Sequence, residues 1–222
     1  MAVLDGVAYV TNSFSDILMA VDVESALAGN CSVEEIALPN DFVPLASDDW
    51  GTNGIAPFEF DNGVKGLLLS NEIDGTVFSL QFPPGDTPRY QKIIGLSMAL
   101  GADGLNFEND LLYVTQNTAN MISVWNMTAS DDGAIFVEQA GFITSPDYDT
   151  PATSALYGGY IFSTNSRFVE KPDIAEAADN TVVGVKNKFA TTTEVRSPEN
   201  RNHVNPSHDK AGSHLCLPML LM

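Results

Sequence analysis

Apolar residues in this 222-residue chain fall in short runs bounded by small polar turns, and four pairs of runs share one form. Val7-Ala8-Tyr9-Val10-Thr11-Asn12 is followed by Ile17-Leu18-Met19-Ala20-Val21. Gly66-Leu67-Leu68-Leu69-Ser70-Asn71 is followed by Gly75-Thr76-Val77-Phe78-Ser79-Leu80. Leu111-Leu112-Tyr113-Val114-Thr115-Gln116-Asn117 is followed by Met121-Ile122-Ser123-Val124-Trp125. Gly159-Tyr160-Ile161-Phe162-Ser163-Thr164-Asn165 is followed later by Thr181-Val182-Val183-Gly184-Val185. Each pair reads as two adjacent antiparallel strands with a short connection. The closing Asn recurs at positions 12, 71, 117 and 165, spaced by 59, 46 and 48 residues. Periods of about 40–50 residues that hold several strands are the mark of β-propeller blades. Helical signal is confined to Val23–Ala28 and Ile174–Ala178, a turn or two each. The expected fold class is all-β, a β-propeller.

Charge divides the chain. Residues 1–185 carry five Lys/Arg against 26 Asp/Glu, whereas residues 186–222 carry five against three and hold all three histidines. The second stretch has no apolar period, so the expected organisation is propeller blades over 1–185 and a disordered basic tail over 186–222. The formal charge of −19 excludes general nucleic-acid binding by the body, because phosphate contacts need Lys and Arg. No run of about 18 apolar residues is present, so no membrane-spanning helix is expected. The opening Met-Ala-Val-Leu-Asp-Gly has neither a basic n-region nor a long apolar h-region, so it does not read as a signal peptide. Two sequons, Asn30-Cys31-Ser32 and Asn126-Met127-Thr128, matter only in an extracellular setting, and the compartment stays open. Cys31 and Cys216 are the two cysteines; a disulfide between them is the lesser of two readings, because Cys216 sits in the tail.

A second pattern precedes the strand pairs. Thr52-Asn53-Gly54-Ile55 comes before the second pair, Ala102-Asp103-Gly104-Leu105 before the third and Pro151-Ala152-Thr153-Ser154-Ala155 before the fourth. A polar residue, a glycine and an aliphatic at these places would open the innermost strand of each blade. The competing reading of Asn53-Gly54 and Asp103-Gly104 is a plain turn.

On Asn53-Gly54-Ile55, Asp103-Gly104-Leu105, the run from Asp5 to Asn12 and the run from Gly158 to Asn165, the sequence resembles the regucalcin (senescence marker protein), gluconolactonase and luciferin-regenerating-enzyme superfamily of six-bladed propellers. The resemblance covers roughly residues 2–185 and implies about three and a half four-stranded blades of a six-bladed type, N-terminally incomplete. It implies a single divalent cation in the channel, Ca²⁺ or else Mg²⁺, Mn²⁺ or Zn²⁺, held by a Glu, two Asn and an Asp. Carried over by residue, Asn53 matches one Asn and Asp103 the Asp. The other Asn and the Glu would fall before residue 2. The implied chemistry is hydrolysis of a lactone or similar ester, with Asp103 as catalytic base as well as ligand. The missing ligands would leave such an enzyme inactive. The alternative is a non-catalytic β-propeller binding or interaction module. Asn12, Asn71, Asn117 and Asn165 are expected to bond backbone within blades. An incomplete ring would expose two blade faces, so self-association is expected beside a small lactone or ester partner.

Overall fold

The computed structural model describes residues 1–39, 51–83, 85–93, 99–166 and 181–190. Each strand pair read from the sequence becomes part of one antiparallel sheet. The first sheet runs β1 (Ala2–Leu4), β2 (Val7–Val10), β3 (Ile17–Asp22) and β4 (Glu34–Ala37), in that order. The second is β5 (Thr52–Glu59), β6 (Lys65–Asn71), β7 (Val77–Gln81) and β8 (Arg89–Lys92). The third is β9 (Ala102–Glu108), β10 (Leu111–Gln116), β11 (Met121–Ala129) and β12 (Ile135–Thr144). The fourth holds β13 (Pro151–Tyr157), β14 (Tyr160–Asn165) and β15 (Val182–Lys186). The chain is therefore all-β, with consecutive meander sheets in a propeller arrangement. The one helix among the described residues, α1 (Val23–Leu27), follows β3, its N-terminus capped by Asp22, whose carboxylate accepts from the Ser25 N–H at 2.7 Å. No helix among the described residues is long and apolar enough to cross a membrane.

The first strand of each sheet is the inner one. β1 packs on β5, β5 on β9 and β9 on β13. The blades stack through their second strands, and the side-chain period of two explains how. On β6, Leu67 and Leu69 face the first blade, in a cluster with Tyr9, Leu18 and Phe78. Leu68, between them, faces the third blade, in a cluster with Leu112, Val114 and Trp125. On β10, Tyr113 turns the opposite way from Leu112 and Val114 and joins Ile122, Ile143 and Ile161 against the fourth blade. An uninterrupted Leu-Leu-Leu run is what a strand buried on both faces requires, and all three leucines are fully buried.

The packed structure runs past the boundary expected at residue 186. Lys186 closes β15, and the buried Asn187 donates from Nδ2 to the Tyr113 hydroxyl at 3.0 Å. Phe189 packs against the cluster between the third and fourth blades. Residues 191–222, with their three histidines and Cys216, lie outside the described residues, as does the helical signal at 174–178.

Candidate functional site

Asn53 is the second residue of β5 and Asp103 the second residue of β9, so the two stand at the same end of neighbouring inner strands. Neither Asn53-Gly54 nor Asp103-Gly104 is a hairpin turn. Each lies where the pairing of its strand slips: between Thr52 and Ile55 in β5, and opposite the Val114–Gln116 step in β9. Bulges of this kind re-aim side chains and gather near functional sites. The glycines have a separate purpose. A Cβ at Gly54 would strike the Asp103 carbonyl oxygen and lie 2.7 Å from Ser70 Oγ. A Cβ at Gly104 would come within 2.8 Å of Thr153 Cα in the next inner strand. Glycine at these positions lets successive inner strands meet backbone to backbone.

Hydroxyls at the ends of the second strands join blade to blade. Thr11 Oγ1 donates to the Asn53 carbonyl at 2.7 Å. Ser70 Oγ accepts from the Gly54 N–H at 2.9 Å and donates to the Ala102 carbonyl at 2.8 Å. Thr115 Oγ1 meets Ser154 Oγ at 3.0 Å. The Thr/Ser of the repeated motif thus reaches the inner strand of the following blade.

Two further residues, Glu72 and Asn117, complete the cluster. Asn53 Nδ2 donates to Glu72 Oε2 at 2.6 Å, and Asn117 Nδ2 donates to Glu72 Oε1 at 2.6 Å. Both amides also lie close enough to the Asp103 carboxylate to favour its charged form. Backbone bonds hold these groups in place: Glu72 N–H donates to the Gly51 carbonyl, Gly101 N–H to the Glu72 carbonyl and Asn117 N–H to the Gly101 carbonyl. Burial, and next the Glu72 charge, push the Asp103 carboxyl up to about 7, while the Asn117 and Asn53 amides pull it the other way. The two ion pairs among the described residues, Lys65–Asp5 and Arg89–Asp86, lie elsewhere, so neither carboxylate of the cluster has a basic partner there.

Glu72 was not singled out from the sequence, and Asn117 was expected only to bond backbone within its blade; the reason is one of register. Asn71 pairs with Thr52 and Asn165 with Pro151, but in the third blade Gln116 pairs with Ala102. Gln116, not Asn117, is therefore the equivalent of Asn71, and Asn117 is the equivalent of Glu72. All four closing asparagines bond backbone. Asn12 Oδ1 accepts from Phe14 N–H, Asn71 Oδ1 from Ile73 N–H and Asn165 Oδ1 from Asp149 N–H. Asn117 also accepts, from Thr118 N–H at 2.6 Å, but its Nδ2 serves the cluster.

Asn53 and Asp103 border a cleft of about 460 Å³ along the inner strands, within the usual size range for a small-molecule site. Leu105, Pro57 and Phe107 supply its apolar wall, and Asn106, Thr153 and Ser154 its polar one. Phe107 is fixed edge-on against Phe58 and Phe60, at centroid distances of 6.2 and 5.5 Å. Asp103 is the one charged side chain among the described residues that line this cleft.

The cluster holds two carboxylates and two amides, all hard oxygen donors when the amides present Oδ1. No three His, Cys, Asp or Glu side chains converge among the described residues. The donor set suits a hard divalent cation, though turning both amide oxygens inward gives up their bonds to Glu72.

No family model and no curated protein matches the chain. Among solved structures it is similar to a "putative 6-phosphogluconolactonase" from Bacteroides uniformis (TM-score 0.48, 13% identity, covering 82% of this chain and 54% of that one). It is also similar to a glutaminyl cyclase from Myxococcus xanthus (TM-score 0.34, 13% identity, 71% and 66%). A third is a catalytically inactive virginiamycin B lyase from Staphylococcus aureus with quinupristin (TM-score 0.38, 14% identity, 83% and 68%). The chain spans about half the length of the first. At this distance the neighbours carry no chemistry to this chain, and its architecture rests on its own four sheets.

Proposed function

We propose that the chain is a divalent-cation-dependent hydrolase of a lactone or similar ester, with Asn53 and Asp103 at its centre and Glu72 and Asn117 completing the ligand set. One observation carries this reading: four oxygen-bearing side chains from two neighbouring blades, two of them carboxylates without a basic partner among the described residues, meet beside a cleft of small-molecule size. A cation bound there would polarise the substrate carbonyl and make a water more acidic. Asp103 faces the cleft and would take the proton from the attacking water on a carboxylate oxygen. Asn53 would orient the substrate by its amide. Leu105, Pro57 and Phe107 would exclude bulk water from the apolar side.

A second reading, a binding module without catalysis, is favoured by a different observation. Both amides already donate to Glu72 at 2.6 Å, so the cluster satisfies itself without a cation. The two readings separate in one experiment. Thermal melts of the purified chain are run with Ca²⁺, Mg²⁺, Mn²⁺ or Zn²⁺, alongside hydrolysis of neutral lactones and aryl esters. The hydrolase reading expects at least one cation to raise the melting temperature and support turnover, with Asp103→Asn losing both. Melts that ignore all four cations would remove it and leave the binding module.

A further inference from the structure

The two end blades expose faces whose residues belong in an interior. On β14 the burial alternates: Ile161 is fully buried against the third blade, while Tyr160 and Phe162 are 45% and 37% exposed. Pairing extends this face across the sheet. Tyr160 stands opposite Tyr157, itself 80% exposed, Phe162 opposite Ala155 and Gly184, and Thr164 opposite Val182, which is 64% exposed. The first blade mirrors this arrangement. Ala2, Tyr9, Leu18 and Ala20 face the second blade, and the alternate positions Val3, Ala8, Val10, Met19 and Val21 form the open side. Val3 is 52% exposed and the rest of this set are half-buried. A strand with one face in water places polar residues there. β2 and β14 do not: Val-Ala-Tyr-Val and Tyr-Ile-Phe carry apolar residues on both faces, like the doubly buried β6 and β10.

The two open faces are opposite halves of one interface, which the chain forms three times internally. The exposed side of the first blade is the side that the second, third and fourth blades turn toward their predecessors. The exposed side of the fourth blade is the side that the others turn toward their successors. We propose that a second copy of this chain occupies both, with the fourth blade of each copy packing on the first blade of the other. A head-to-tail contact made twice closes as a two-fold ring, and four blades from each copy give eight, within the range that propellers adopt. Charge agrees with this pairing. Lys186, opposite Tyr160, is exposed on the fourth-blade face, and Glu35, opposite Met19, is exposed on the first. Closure would also give the cleft beside Asn53 and Asp103 a facing wall, because it lies along the inner strands that the ring encloses.

The test measures the mass of the full chain by light scattering after size exclusion, across the micromolar range. The expected species is a dimer of twice 23.8 kDa. Phe162→Lys on the fourth blade and Val3→Lys on the first are each expected to weaken it at least tenfold while keeping a β-type circular dichroism spectrum. Tyr157→Lys serves as a second fourth-blade variant should Phe162→Lys misfold, since Tyr157 supports little of the fold. Mixing the Phe162→Lys and Val3→Lys chains should restore a dimer, because one intact fourth-blade face then meets one intact first-blade face. A monomer throughout, a dimer indifferent to these substitutions, a dimer broken by only one of them or an open ladder of larger species would each overturn the proposal.

Discussion

Asp103 concentrates the energetics of the site in one carboxyl. Its native pKa near 7 lies above the ordinary 3.8, so the folded chain holds the proton more tightly than the unfolded one. Linkage then fixes the sign: stability attributable to this group falls as pH rises from about 4 to 7, and the full cost is reached above that. In EDTA the chain should lose about 1–3 kcal/mol across this window after allowing for solvent screening, and Asp103→Asn should flatten the slope, as urea melts at several pH values would reveal. A chain equally stable at pH 5 and pH 8 would contradict this. Tyr148, which does not line the cleft, supplies a control. Its buried hydroxyl has no hydrogen-bond partner among the described residues, and burial pushes it up to about 12. Tyr148→Phe should therefore leave neutral-pH stability unchanged or raise it by about 1 kcal/mol, and should blunt the loss of stability between pH 10 and 12. Glu72 shows the limit of reading single residues. It stands one position beyond a recurrent Asn in an acid-rich chain, and nothing local distinguishes it from a solvated surface carboxylate. Only the meeting of β6 and β10 ends across two blades turns it toward Asn53 and Asn117.

At the level of strands, the decisive device is the closeness of β5 and β9. Gly54→Ala would force a methyl into the Asp103 carbonyl oxygen and should cost about 1–3 kcal/mol as an overpacked contact. Ser70→Ala strands the buried Gly54 N–H and should cost a similar amount, about 1–3 kcal/mol. Denaturant melts of the two variants should show both losses, and Gly54→Ala should also disturb whatever Asn53 and Asp103 do together. An unchanged midpoint for either variant would mean that the strands can separate without penalty. The paired strands were legible because each is a short apolar run that ends on a small polar turn. The motif before each inner strand was legible as a place, since Asn53 and Asp103 do open β5 and β9. Its glycines were open to a turn reading, because an Asn-Gly pair looks the same in a hairpin and in a bulge. What separates the two is the backbone of the neighbouring blade, 50 residues away in sequence for Asn53 and Asp103. The slip that puts Gln116 where Asn71 would be is invisible for the same reason: aligning the repeats by their asparagines shifts the third unit by one residue.

For the molecule as a whole, the outer faces decide the solution state. If a second copy covers them, the melting temperature should rise with protein concentration, because association stabilises only the folded chain. The acidic body adds a dependence on salt. Residues 1–185 carry 26 acidic side chains against five basic ones, so two copies repel at long range and should associate more readily as ionic strength increases. Apolar blade faces and a strongly negative surface thus pull in opposite directions, and a salt series read by light scattering would show which prevails.

The alternate facing of Leu67, Leu68 and Leu69 means that the described residues form no central core, only layers shared between neighbours. Its loosening should follow the same order. Amide protons of β6 and β10, clamped on both sides, should exchange with deuterium most slowly. Those of β2 and β14 should exchange earlier, through opening of an end blade that leaves the rest folded. Closing the ring would abolish the ends and level that gradient, so exchange rates compared at low and high protein concentration would report, strand by strand, whether the fold is a row or a circle.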